Sequence, residues 1–418
     1  MPFKLPNLND LNKTQQLIIN LMNKTDKLAV IGGPGTGKTV IAILAATQFA
    51  SSNNKCLILS YSISLKDQIK CITKLSKQKQ QQNVKDIDIV NKKYDNIEVN
   101  TYLKWFWHQL IELGFTEDDI KTKLQTKAFV YDLNKLDDAL SKIPAEKKLK
   151  YEYIFIDEAQ DVQSGLIKYF KQFCKKILVT FDDCQKVGNE NEKKSDAILN
   201  YDHSNILVDL NIGDKYFDLI DNYRNTVQIE KCARLLLSSY DFNDVTLKKV
   251  TSNRLGEEVK LVKSDDKMTY QKMAKYIVEH YDRSKSLAVL FDSTTSNRNL
   301  IYSKLKEAIN IEIAKSGIQT KLLYKYGEYG NINSKNSLDN AIFLMSFKTS
   351  KGLEFDDVFT ITTNVNISSN YQIRNSFYVA LTRAKSNAYI LIDDSSKESQ
   401  EINKLFLNNS HLFEVENI

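Results

Sequence analysis

The stretch AVIGGPGTGKTVIAIL (29–44) decides the fold of this chain. Its centre, GGPGTGKT (32–39), fits the spacing G-x-x-x-x-G-K-[ST], with an apolar run before it and a helix-forming run after it. Strand, glycine-rich turn and helix in that order make a phosphate cradle. The glycines let backbone N–H groups turn inward, and the helix presents the positive end of its dipole. Gly32, Gly33, Pro34, Gly35, Thr36, Gly37, Lys38 and Thr39 are therefore the expected nucleotide-binding set. Lys38 would supply charge to the β and γ phosphates, and the Thr39 hydroxyl is placed to coordinate Mg²⁺. A glycine-rich turn with a chance lysine is the bland alternative, and the flanking strand and helix argue against it.

Outward from this loop, short Val- and Ile-rich runs alternate with helical stretches, as in parallel sheets covered by helices on both faces. Strands are expected at 28–31, 56–61, 153–156 and 177–181, and a second set at 286–291, 341–347, 358–362 and 388–392. The third of these opens YIFIDEAQD (153–161), which brings Asp157 and Glu158 to the same sheet edge as the phosphate loop. Asp157 would hold the metal shell and Glu158 would face the attacking water as general base. A solvated acidic strand end is the alternative, and pairing with the loop makes it the minor one. The polar stretch at 75–93 reads as an insertion or helix extension, and a second at 188–202 places a domain boundary soon after it. No fixed-period repeat is visible.

At 418 residues and 42% hydrophobic content the chain can bury two cores. A net charge of +6 suits a polyanionic partner, although an A/T-rich genome would favour the same lysines. No run approaches the roughly 20 apolar residues of a membrane span, and the start, MPFKLPNLND, lacks an apolar core, so a cytoplasmic protein is expected. Cys56, Cys71, Cys174, Cys184 and Cys232 contain no close pair of metal-ligand type, and the scattered histidines show no zinc spacing.

At DEAQD the sequence resembles the superfamily 1 helicases of the UvrD/Rep type, and further motifs follow in that family's order from Leu11 to about Ala388. The resemblance implies a P-loop NTPase of α/β class with two RecA-like parallel-sheet domains and an ATP cleft between them. LNKTQ (11–15) is similar to the adenine-reading segment, with Gln15 on the base edge. ILSYSISLKDQ (58–68) and VNTY (99–102) are similar to strand-gripping motifs and offer Ser60, Tyr61, Lys66 and Thr101 to nucleic acid. TFDDCQKV (180–187) makes Gln185 a sensor of the γ-phosphate or its water, although Phe181 stands where the family has Gly. DNYRNT (221–226) makes Tyr223 the adenine-stacking ring and Arg224 a γ-phosphate contact. MSFKTSKGLEFDDVF (345–359) places Glu354 on the ribose and Gly352 near the nucleotide. Ser346 and Lys348 replace its customary Thr and His as strand contacts. FYVALTRAK (377–385) makes Arg383 the arginine finger.

The implied boundaries are 1–205 for the first core domain, with a small insertion at about 103–150, and 206–418 for the second. ATP and Mg²⁺ are the implied ligands. The implied activity is that of an ATP-dependent DNA helicase or translocase moving 3′ to 5′ on single-stranded DNA, in repair or anti-phage defence, with a nuclease or other protein partner. An RNA-dependent ATPase and a nucleotide-gated scaffold with little unwinding are the alternatives. The large second accessory insertion is expected to be absent. WFWHQL (105–110) falls where the first insertion begins, and it reads either as a stacking surface for bases or as the core face of a helix.

Overall fold

The loop sits at one edge of a six-stranded sheet whose strands all run parallel. These are β1 (Lys27–Gly32), β2 (Cys56–Ser60), β3 (Ile97–Thr101), β6 (Tyr151–Ile156), β7 (Cys174–Phe181) and β8 (Phe217–Leu219), in the order β3-β2-β6-β7-β1-β8. The computed structural model describes residues 5–51, 54–61, 63–83, 87–182, 185, 203–213, 215–237, 250–292, 298–324, 341–367 and 371–418. The polar stretch 188–202 lies outside them, as do Cys184 and the other neighbours of Gln185 in TFDDCQKV.

Side chains alternate across β1 as a strand requires. Ala29 and Ile31 enter one core and Leu28 and Val30 the other. Helix α1 (Lys13–Leu21) starts at a reciprocal cap between Asn12 and Gln15 and lies over the second of these cores, beside α2 (Lys38–Phe49). The sequence of α2, KTVIAILAATQF, is apolar on nearly every side, and it is correspondingly buried from Ile41 to Thr47. The described residues of 75–93 are helical, 75–83 in α3 (Ile63–Asn83) and 87–93 in α4 (Ile87–Asp95).

Residues 102–149 hold α5 (Tyr102–Glu112), the antiparallel strands β4 (Gln125–Lys127) and β5 (Val130–Tyr131), and short helices. They do not form a separate body. Trp105, Phe106, Leu124, Tyr131 and Leu136 fuse with the first domain's own core. The WFWHQL cluster is therefore the core face of a helix: Trp105 and Phe106 pack edge-on or tilted against Phe170 and Phe173.

The boundary expected at 205/206 falls inside the helix His203–Leu210, whose Ile206, Leu207 and Leu210 belong to the first core. The first sheet continues to β8, which pairs with β1. One residue, Ile220, then separates β8 from β9 (Asp221–Asn222), which pairs with β10 (Thr251–Ser252) on the other side of the cleft. A three-residue strand with one apolar side chain fully inside leaves too little pattern to place that boundary from sequence.

The second sheet has seven parallel strands: β11 (Val259–Lys263), β12 (Leu287–Phe291), β13 (Lys321–Tyr324), β14 (Ala341–Ser346), β15 (Phe355–Ile361), β16 (Ala384–Leu391) and β17 (Phe413–Asn417). Their order is β13-β14-β12-β15-β16-β11-β17. Among the described residues no helix is long and apolar enough to cross a membrane.

Candidate functional site

Parallel strands put all their C-terminal ends at one edge, so the loop after β1, Asp157 after β6 and Asp182 after β7 gather together. Gly35 and Gly37 adopt left-handed backbone, at φ 71° and 90°, where a side chain would be strained. A Cβ on Gly35 would stand 2.3 Å from Asn222 Oδ1 and 2.6 Å from Arg224 Cβ, so glycine is what lets the second domain touch the loop. Gly37 caps α2 in the same conformation. Lys38 Nζ donates to the carbonyls of Gly32 at 2.5 Å and Gly33 at 2.9 Å, arching back over the loop, with Asp182 3.9 Å away. Thr36 is buried and donates to Gly33 O, bracing the turn. Gln15 braces it from outside: its Nε2 donates to Thr36 O at 3.1 Å, while its Oε1 accepts from Asn12 N.

Thr39 Oγ1 donates to Asp157 Oδ2 at 2.5 Å, and Thr180 Oγ1 donates to Asp157 Oδ1 at 2.7 Å. Burial and the charge of Glu158 push the Asp157 carboxyl up, against the two hydroxyl donors and Lys38. Burial also opposes ionisation of Glu158. Lys351, Lys38 and Arg383 outweigh it and hold that carboxyl down at about 2. Glu158 itself has left-handed backbone, φ 58°, which turns its side chain out of the strand line. Thr39 and Asp157 fit a Mg²⁺ site of the kind completed by phosphate and water, because one hydroxyl and one carboxylate oxygen already converge there. Bound between them and the phosphates, the ion would neutralise developing charge.

The opposite wall comes from the second domain, from the turn after β9 and from the seven-stranded sheet. Tyr223 N donates to Gly35 O at 2.9 Å, and the half-exposed Tyr223 ring side carries a hydroxyl bonded by Asn12 Nδ2. Arg224 Nε pairs with Glu354 Oε2 at 2.9 Å. Arg383 is 1% exposed, and its Nη2 donates to Gln185 Oε1 at 2.9 Å. Burial and the neighbouring Arg224 charge push the Arg383 pKa down to about 9. Gln185 in turn donates to Asp182 Oδ2. One cavity of about 370 Å³ is lined by the loop from Pro34 to Thr39, by Gln15, Glu158 and Gln185, and by Tyr223, Arg224, Gly352, Glu354 and Arg383. Gly32 and Gly33 lie behind it as carbonyl partners of Lys38.

The candidate strand contacts are less tightly grouped. Ser60 and Thr101 are register partners at the ends of β2 and β3, with Tyr61 next to them and its ring 6.4 Å from Tyr102. Lys66, on α3, is paired with Asp67. Ser346 accepts from Thr349 N within the turn after β14, and Lys348 is near enough to pull on Asp161. Lys351, Asp161 and Asn12 join the site although no motif assigns them a role. Lys351 is buried to 1% exposure and bonded to Asp161 and to Gln185 O. A lysine within KGLEFD, where its neighbours are apolar or small, was the available signal.

Two parallel sheets, with a phosphate loop in the first domain and an arginine pair from the second across one cavity, define a P-loop NTPase built of two RecA-like domains. Residues 15–189 match the family model described as an AAA domain, and residues 326–395 match that of the UvrD-like helicase C-terminal domain. Together the two matches support a UvrD-like helicase, an ATP-using enzyme of the DNA helicase class. Among solved structures it is similar to the C-terminal domain of a possible DNA helicase from Lactobacillus plantarum WCFS1. That match is 18% identical, covers 46% of this chain and 98% of the other, and has a TM-score of 0.31, too low to carry an argument. No curated protein matches the chain in sequence.

Proposed function

We propose that this protein is a motor that couples ATP hydrolysis to movement along single-stranded DNA, 3′ to 5′. The observation that carries this reading is one cavity lined by Lys38, Thr39 and Glu158 of the first domain and by Arg224 and Arg383 of the second, with Asp157 bonded to Thr39 behind it. A γ-phosphate there would attract both arginines and draw the domains together, and its loss would release them. Lys38 and Thr39 would hold the phosphates and metal with Asp157, and Glu158 would take the proton of the attacking water. Gln15 and Tyr223 would frame the base, and Gly352 and Glu354 the sugar. Ser60, Tyr61, Lys66, Thr101, Ser346 and Lys348 would hold the strand, largely through phosphates and without regard to sequence. DNA repair or anti-phage defence, in company with a nuclease, is the setting we propose.

The test is steady-state ATP hydrolysis with and without single-stranded DNA or RNA. DNA should stimulate turnover, and Lys38→Ala and Glu158→Gln should abolish it. Absence of stimulation by either polymer would sink the motor reading. Stronger stimulation by RNA would transfer it to the other polymer, and stimulation without strand displacement would make the protein a translocase.

A further inference from the structure

Lys351 belongs to the KGLEFD segment, yet it does not line the nucleotide cavity that Gly352 and Glu354 border. Its side chain crosses from the second domain into the first. Nζ donates to Asp161 and, at 2.6 Å, to Gln185 O, and it stands 3.5 Å from Glu158 Oε2. The same Glu158 oxygen accepts from Gln160 Nε2 at 2.5 Å, and Gln160 is oriented by accepting from Asp182 N. The carboxylate expected to receive a proton from water is thus already engaged from two sides, one of them in the other domain.

We propose that Lys351 is a positioning residue: it holds Glu158 in an unproductive pose, and a shift of the two domains releases the carboxylate for hydrolysis. The grip is unequal in a way that suits release. The contacts to Asp161 and Gln185 O are hydrogen bonds, whereas 3.5 Å to Glu158 exceeds hydrogen-bond length and is held by charge. A relative movement of the domains that carries Nζ along Asp161 and away from Glu158 frees that carboxylate and leaves the ammonium partnered by Asp161.

The other side of Lys351 faces the polymer edge. The Tyr61 ring centre lies 5.5 Å from Nζ, and Tyr102 donates from its hydroxyl to Asp161 O. Both tyrosines stand at the ends of β2 and β3, beside Ser60 and Thr101. A strand gripped there displaces Tyr61, whose ring lies against Lys351, and Tyr102, which holds its partner Asp161, and that gives the polymer a physical route to the general base. The inference rests on the motor reading, in which Glu158 is that base.

The experiment compares ATP turnover, with and without single-stranded DNA, in wild type, Lys351→Met and the double variant Lys351→Met/Asp161→Asn. The double variant removes the buried carboxylate that Lys351→Met alone would strand, so one of the two keeps the fold; circular dichroism checks which. Polymer-free kcat should rise about ten-fold, within the range of typical inter-site couplings, while the ratio of stimulated to basal turnover falls toward one and KM for ATP holds. Basal turnover at or below wild type in a folded variant, with stimulation intact, overturns the proposal. Glu158→Gln separates the two readings. If it is inactive while the Lys351 variants behave as wild type, only the latch fails; if it keeps full turnover, the general-base reading falls and the latch with it.

Discussion

Replacing Arg383 by Met should leave the protein nearly as stable as wild type and without useful ATPase activity. The guanidinium is 1% exposed, and its hydrogen bonds run to neutral oxygens: Val379 O, Leu353 O, Gln185 Oε1 and Thr382 Oγ1. Its pKa, pushed down to about 9, reports how poorly the charge is compensated there. Against an ordinary arginine this is a penalty of about 5 kcal/mol at 1.36 kcal/mol per pH unit, an order-of-magnitude figure. Met relieves that penalty and forfeits hydrogen bonds worth about 1 kcal/mol each, so the net change should stay within about 2 kcal/mol. In the proposed function a γ-phosphate would add a negative partner beyond the charges of Glu158 and Glu354. Arginine fingers contribute roughly 10³-fold or more to turnover. The assay pairs thermal unfolding with polymer-stimulated kcat and binding of a fluorescent ATP analogue, and binding should persist. Unchanged turnover, or a stability loss typical of a core truncation, refutes the reasoning.

Gly35→Ala forces a Cβ to 2.3 Å from Asn222 Oδ1 in left-handed backbone, so it should separate the loop from Arg224 and lower turnover about a hundred-fold, read by the same ATPase assay. Phe106→Ala empties a fully buried ring site and should cost about 3–5 kcal/mol in denaturant titration, whereas Phe129→Ala, at a half-exposed ring, should cost far less. Asp356 accepts from Ser286 N, Ser286 Oγ and Lys385; although burial opposes its ionisation, these donors hold its carboxyl down at about 2. A depressed carboxyl stabilises the fold above the ordinary pKa near 4 and loses that contribution as pH falls toward 2. Asp356→Asn should therefore cost about 1 kcal/mol at pH 6, after allowance for its partial exposure, and the gap to wild type should narrow at pH 3.

Legibility in the sequence followed how local each signal was. The loop and YIFIDEAQD announce themselves because strand, turn and functional side chain are contiguous. β3, IEVNT, and β11, VKLVK, carry little strand signal of their own, because charged and polar residues break their apolar runs, and β17, FEVEN, has one buried residue. Their pairing partners, not their own composition, make them strands. The cleft is the harder case. That Gly35 meets Asn222 and Arg224, or that Lys351 reaches Asp161 some 190 positions away, depends on how the two domains face each other, and no periodicity encodes it.

Ile220 also fixes the mechanics of the molecule. The tether between the sheets lies beside the phosphate loop: Leu219 Cβ would be 2.9 Å from a Cβ on Gly32, and Tyr223 N bonds Gly35 O four residues after that leucine. A pivot so near the nucleotide makes the second domain a lever with its load at the far margin. Six strand spacings of 4.8 Å give a sheet roughly 29 Å wide. Displacements too small to disturb the loop at the fulcrum grow with distance from it, and the proposed movement along a strand would draw on that leverage.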